Sequence, residues 1–172
     1  MTVGGKMLTR IVSAGLLTAV GLGGVVLPAA ADTPPPLCQT KSLSISQQPR
    51  GVAAGTRFED LIVTNKGRTC VIAGYPGLVF RDAGGQVLPA QIVPDTLAPL
   101  NNVVLNTGDT ARSRLALFDI PTDPDPSGPV TPATLKVTTP GSSSSTTVPW
   151  TFGDLQYPYT VTVDPFAVTD WQ

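Results

Sequence analysis

Eighteen prolines and 17 glycines are spread along the whole of this 172-residue chain, and that punctuation excludes a helical protein. Proline removes a backbone donor and clashes with the preceding turn, and glycine carries a large backbone entropy cost in a helix. Between these residues lie short runs rich in Val, Thr and Leu. Many alternate apolar and polar side chains, the period of a strand with one buried face. The alternation predicts strands over Lys41 to Gln47, Phe58 to Thr64, Thr69 to Ala73, Leu78 to Asp82, Gln86 to Val93 and Asn102 to Leu105. Thr110 to Phe118 follows, with Ala111, Ser113, Leu115 and Leu117 on one face and Arg112 and Arg114 on the other. Thr134 to Thr138, Thr146 to Phe152 and Tyr157 to Val163 complete the set. Turn chemistry separates them, as at Asn65-Lys66-Gly67 and Asn106-Thr107-Gly108-Asp109. The expected fold is all-β: an antiparallel two-sheet sandwich of immunoglobulin-like type with one disulfide. A Greek-key barrel is the alternative.

The first 31 residues read differently. Lys6 and Arg10 supply positive charge, Ile11 to Leu27 is an uncharged apolar run, and Ala29-Ala30-Ala31 follows Pro28. This is the order of a secretory signal peptide cleaved after Ala31. The run is at the short limit for a membrane span and carries four glycines, which argues against an anchor. Leu37 is bulky where a lipoprotein needs a small residue before its cysteine, so Cys38 is not expected to be lipidated. The expected organisation is a signal peptide over 1–31, a proline-rich lead-in over 32–37, one β domain over 38–163 and a tail over 164–172. The mature protein is then secreted or held in the cell envelope, with no transmembrane anchor.

Charge and composition narrow the function. The segment through Ala31 holds two of the 11 basic residues and none of the 12 acidic ones, so the remainder carries a net charge of −3. That body has no basic footprint for nucleic acid. No histidine occurs anywhere, which removes Ser-His-Asp and Cys-His catalysis and most zinc and copper sites. No cofactor motif is present. Cys38 and Cys70 are the only cysteines, and in an oxidising compartment they are expected to form a structural disulfide. They lack the spacing of a redox pair.

The string Cys70-Val71-Ile72-Ala73-Gly74-Tyr75-Pro76-Gly77 is the most specific in the chain. With Cys38, Leu61, Val63 and Asn65 before it and Asp82 and Gly84-Gly85 after it, the sequence resembles the exported actinobacterial (mycobacterial-type) proteins of the domain of unknown function 4232 (DUF4232) family. The resemblance runs from about Cys38 to Val163 and implies an exported or envelope β-sandwich, without implying an activity. Two departures stand out. Thr107-Gly108 replaces a common Pro-Gly turn, and a second cysteine pair found in many relatives is missing.

The candidate sites are few. Gly74 and Gly77 permit unusual backbone angles, Pro76 fixes the turn and Tyr75 can cover the disulfide, which makes a structural corner; an aromatic at a loop tip also serves recognition. Asp119, Asp123 and Asp125 lie in a proline-rich stretch over Asp119 to Pro132, read as a solvated surface loop, with calcium as the sharper reading. Pro140 to Ser145 reads as a flexible tip. Glu59 and Asp60 are neighbours on a strand and so face opposite ways. Arg112 and Arg114, with Lys136 as a third member, form either an anion- or glycan-binding patch or a solvated strand face. Phe166 and Trp171 in the tail either pack back onto the domain or dock on a partner.

The expected function is therefore a non-catalytic binding module of the envelope or of secreted protein, its partner an envelope protein or a glycan. The competing classes are a hydrolase using aspartates on cell-wall glycans and a purely structural envelope component. Two or more carboxylates converging in one concave pocket would discriminate the hydrolase.

Overall fold

The computed structural model describes residues 33–118 and 128–168. Residues 1–32, Asp119, Asp123, Asp125 and Trp171 lie outside them. A short 3-10 turn, Thr40–Ser42, precedes ten strands among the described residues: β1 (Leu43–Ala53), β2 (Thr56–Asn65), β3 (Cys70–Ile72), β4 (Gly77–Arg81), β5 (Gln91–Pro94), β6 (Val103–Leu105), β7 (Thr110–Phe118), β8 (Thr134–Thr138), β9 (Thr146–Pro149) and β10 (Thr160–Val163). They form a five-stranded sheet in the order β1-β2-β7-β10-β5, a two-stranded sheet β3-β6 and a three-stranded sheet β4-β8-β9. The chain is a β-sandwich. All pairings between these strands are antiparallel except that of β5 with β10, which run parallel in register.

Alternation decides which side chains meet. In β7 the residues Ala111, Ser113, Leu115 and Leu117 are buried, and they pack with Leu61 and Val63 of β2 and Val161 and Val163 of β10. Ile72, Phe80, Leu105, Leu135 and Val137 supply the opposing side of the same core. Each such side chain contributes about 1.5–3 kcal/mol through lost apolar exposure. Phe80 meets the indole of Trp150 edge-on, with ring centres 4.9 Å apart. The one hydroxyl deep in this stripe, that of Ser113, donates to the carbonyl of Asp164 at 2.6 Å, so that buried hydroxyl is satisfied.

Cys38 and Cys70 are joined in a disulfide, with their Cα atoms 5.0 Å apart. The link holds the lead-in against β3, where the Cys38 amide also donates to the Val71 carbonyl at 2.8 Å. Asn65 closes the neighbouring turn. Its side-chain amide donates to the carbonyls of Arg68 and Leu105, each at 2.9 Å, while its side-chain oxygen accepts the Gly67 amide at 2.9 Å.

The structure corrects the sequence reading at two strand starts and at the serine turn, and decides between its two alternatives for Phe166. The strand expected over Gln86 to Val93 is confined to Gln91–Pro94, because Pro89 lacks an amide to continue the ladder; Val87 makes only an isolated bridge to Arg81. The strand expected from Tyr157 starts at Thr160, since Tyr159 holds a φ of 59°, outside the extended region. The tail folds back: Phe166 is fully buried, and Ala167 exchanges both backbone hydrogen bonds with Arg112. The serine turn is docked, not a free tip. The Ser142 hydroxyl accepts the Thr40 amide at 3.0 Å, and the Ser144 hydroxyl accepts the Lys41 amide at 3.2 Å. Gly141, with a φ of 72°, permits this approach; a Cβ there would lie 2.6 Å from a Leu37 methyl.

Candidate functional site

The five-stranded sheet has a second face, turned away from the core, and its charged residues fall in a row across the strands. Asp60 of β2 is paired with Arg114 of β7. The Asp164 amide donates to the Arg114 carbonyl at 2.9 Å, so Asp164 stands next in the row. The parallel register that pairs Val163 with Pro94 then sets Asp95 beside Asp164. Side chains of laterally paired residues share a face, and the contacts follow. Asp60 receives Arg50 at 3.2 Å and Arg112 at 3.4 Å. Asp164 receives the Nε of Arg114 at 3.0 Å. The Arg114 guanidinium also lies over the Phe58 ring, 5.5 Å from its centre.

The Arg114 end of this row lines a cleft of about 290 Å³, with Phe58, Asp95, Asp164, Thr162 and Phe118 among its walls. A smaller hollow of about 210 Å³ lies on the other side of Phe58 and Arg114, against Arg50 to Ala53. Asp95 and Asp164 both line this cleft. Burial raises the pKa of Asp164 above its ordinary value; Arg114 opposes that shift and Asp95 reinforces it. Asp95 also accepts the Leu97 amide at 2.9 Å. The η nitrogens of Arg114 make no hydrogen bond among the described residues, and the side chain is about one-third exposed. The cleft therefore offers open donors, fixed acceptors and aromatic wall. Its lining carries two carboxyl groups and one guanidinium, and along the whole row Asp60, Asp95 and Asp164 stand against Arg50, Arg112 and Arg114.

Tyr75 of the Gly-Tyr-Pro-Gly corner is half-buried, and its hydroxyl donates to the backbone carbonyl of Asp95 at 3.0 Å. The corner's other anchor is the Gly74 carbonyl, which accepts the Phe166 amide at 2.9 Å. The corner thus braces the Asp95 wall and the returning tail. Arg112 and Arg114 share a face as expected, but each is matched by a carboxylate, and Lys136 lies on β8 in a different sheet. No group of three or more acidic, cysteine or histidine residues among the described residues is placed to hold a metal ion. No helix there is long and apolar enough to cross a membrane.

Glu59 is the other unusual acid. It faces inward, 2% exposed, with Arg57 Nε 3.5 Å from its Oε1 and no hydrogen-bond partner on Oε2 among the described residues. Desolvation pushes its pKa up to about 7, against the pull of Arg57 and with a smaller push from Asp60. It lines none of the three hollows around the cleft and the disulfide.

Phe58, Asp95 and Asp164 were not marked by any sequence motif. The two aspartates are 69 positions apart, and only the parallel pairing of β5 with β10 makes them neighbours. The visible signal was indirect: Asp164 follows directly on the run expected over Tyr157 to Val163, and Asp95 stands two positions after the run expected over Gln86 to Val93.

Comparison with known proteins adds a family and no activity. No curated protein matches the chain, and no solved structure does. The family described as a domain of unknown function, DUF4232, matches residues 38–172, so it takes in both cysteines, the Gly-Tyr-Pro-Gly corner, both aspartates of the cleft and the returning tail. The chain belongs to the DUF4232 family.

Proposed function

We propose that the protein is a non-catalytic, extracytoplasmic binding module, and that its ligand is a neutral glycan held in the Phe58–Arg114 cleft. The observation that carries this reading is the wall of that cleft: aromatic surface at Phe58 and Phe118 beside the open donors of Arg114 and the acceptors of Asp95 and Thr162. Sugars present apolar C–H faces and rings of hydroxyls that both donate and accept, so they match such a mixture. The near balance of positive and negative groups selects against strongly charged ligands. Export rests on the N-terminal pattern of Lys6, Arg10, the apolar run and Ala29-Ala30-Ala31.

The test is calorimetric titration with soluble fragments of cell-wall glycan. Saturable binding that falls by roughly tenfold in Phe118→Ala and in Arg114→Gln, with both variants folded, supports the reading. Binding unchanged in both variants removes it.

One observation favours a second reading. Asp95 and Asp164 do converge in a concave site, as a hydrolase using aspartates would require. Both carboxylates are already engaged, however: Asp164 by Arg114 at 3.0 Å, and Asp95 by the Leu97 amide. A general acid and a nucleophile must reach a substrate, and glycosidase pairs stand apart to admit the scissile bond. Release of reducing sugar by the native protein, abolished in Asp95→Asn, would establish hydrolysis over binding.

A further inference from the structure

A different hollow, of about 370 Å³, lies over the disulfide and takes no part in the cleft. Its walls come from three pieces of chain that the Cys38–Cys70 bond draws together: Leu37 of the lead-in, Gln39 with Lys41 and Ser42 of the 3-10 turn that follows it, and Arg68 before β3. Its charged lining is cationic: Lys41 and Arg68 line it and no carboxylate does. Neither cation has an ion-pair partner among the described residues. The hydroxyl of Ser42 makes no hydrogen bond there either, and Gln39 accepts the Ser142 hydroxyl on its Oε1 at 3.4 Å, which leaves its amide nitrogen as an open donor. Four other arginines, Arg50, Arg57, Arg112 and Arg114, are each matched by an acid. Here two cations and two neutral donors face one concavity with nothing to receive them.

We propose that this hollow binds a phosphate group. A guanidinium fork, an ammonium, a hydroxyl and an amide supply donors from several directions, which suits a tetrahedral oxyanion better than a planar carboxylate. Two positive charges match the one to two negative charges of a phosphate ester. Leu37, half-exposed on the wall, gives apolar surface to whatever carries the phosphate. The disulfide makes the site, because it fixes the 3-10 turn against the segment that bears Arg68. The site is independent of the glycan cleft.

The experiment is an amide-resolved NMR titration of the disulfide-bonded protein with inorganic phosphate. In parallel, the protein is co-sedimented with phosphatidylglycerol vesicles and with phosphatidylcholine vesicles. Saturable shifts confined to Gln39, Lys41, Ser42 and Arg68, weakened by added salt, are expected. The double variant Lys41→Gln, Arg68→Gln should lose affinity by roughly tenfold or more while melting at the native temperature, since both side chains are exposed. Phosphate shifts without vesicle binding identify a soluble phosphate-bearing ligand. Selective binding to phosphatidylglycerol, lost in the double variant, identifies a lipid headgroup. No saturable response in either arm, or an unchanged response in the double variant, overturns the proposal.

Discussion

Tyr75 donates its hydroxyl proton to the backbone carbonyl of Asp95 at 3.0 Å, across 20 positions of sequence. The Gly-Tyr-Pro-Gly corner is thereby fastened to one wall of the cleft, and Asp95 is held where the parallel register sets it beside Asp164. Tyr75→Phe removes that bond and nothing else. It should cost about 0.5–1.5 kcal/mol of stability in a denaturant titration. It should also weaken the cleft's ligand, though Tyr75 does not line the cleft. Full ligand affinity in the Phe variant would separate the corner from the site.

Glu59 gives the protein a pH dependence whose sign is fixed. Its pKa is about 7 in the folded chain against an ordinary 4.5, so between these values the folded state holds a proton that the unfolded state has released. Stability from this group therefore falls as pH rises from about 4.5 to 7, and the loss is complete above that window. Melting temperatures measured from pH 4.5 to 8 should show a flatter decline in Glu59→Gln than in the native protein. Parallel curves would show that Glu59 titrates normally.

Asn65 joins three segments through one side chain, with bonds to Arg68, Leu105 and Gly67. Asn65→Ala leaves the Leu105 carbonyl without that donor in a buried place, at a cost of about 1–3 kcal/mol for the unsatisfied group alone. Chemical denaturation should report a loss of at least that size. Asn65→Asp should not rescue it, because a carboxylate cannot donate to the two carbonyls.

Much of the fold was legible. β7 and β8 occupy the expected residues, because their alternation is long, regular and free of proline. The disulfide was legible because two cysteines allow one pairing. The tail was less so: Phe166 carries no local pattern, and its burial follows from the Arg112–Ala167 bridge, a contact between distant segments. The serine turn misled for a similar reason. Four serines look flexible locally, but the hydroxyls of Ser142 and Ser144 find amides at Thr40 and Lys41, about a hundred positions away. The cleft was the least legible element. Arg114 was visible as an outward residue of β7, but its partners Phe58 and Asp164 and the neighbouring Asp95 come from three other parts of the chain.

Reduction tests the staple. The bond closes a sequence separation of 32 residues, and in the chain-entropy model it contributes about 3–4 kcal/mol. Reduced protein should lose stability of that order in a denaturant titration and melt at a lower temperature. The effect should also appear as lost amide shifts from phosphate at Gln39 and Ser42, since the hollow over the disulfide depends on it.

Amide-resolved NMR with a neutral cell-wall oligosaccharide tests the cleft most directly. Binding in the Phe58–Arg114 cleft predicts saturable shifts clustered at Phe58, Asp95, Arg114, Phe118 and Thr162, with roughly tenfold weaker binding in Phe118→Ala. Saturable shifts that cluster elsewhere, or none across the oligosaccharides of the wall, would contradict it.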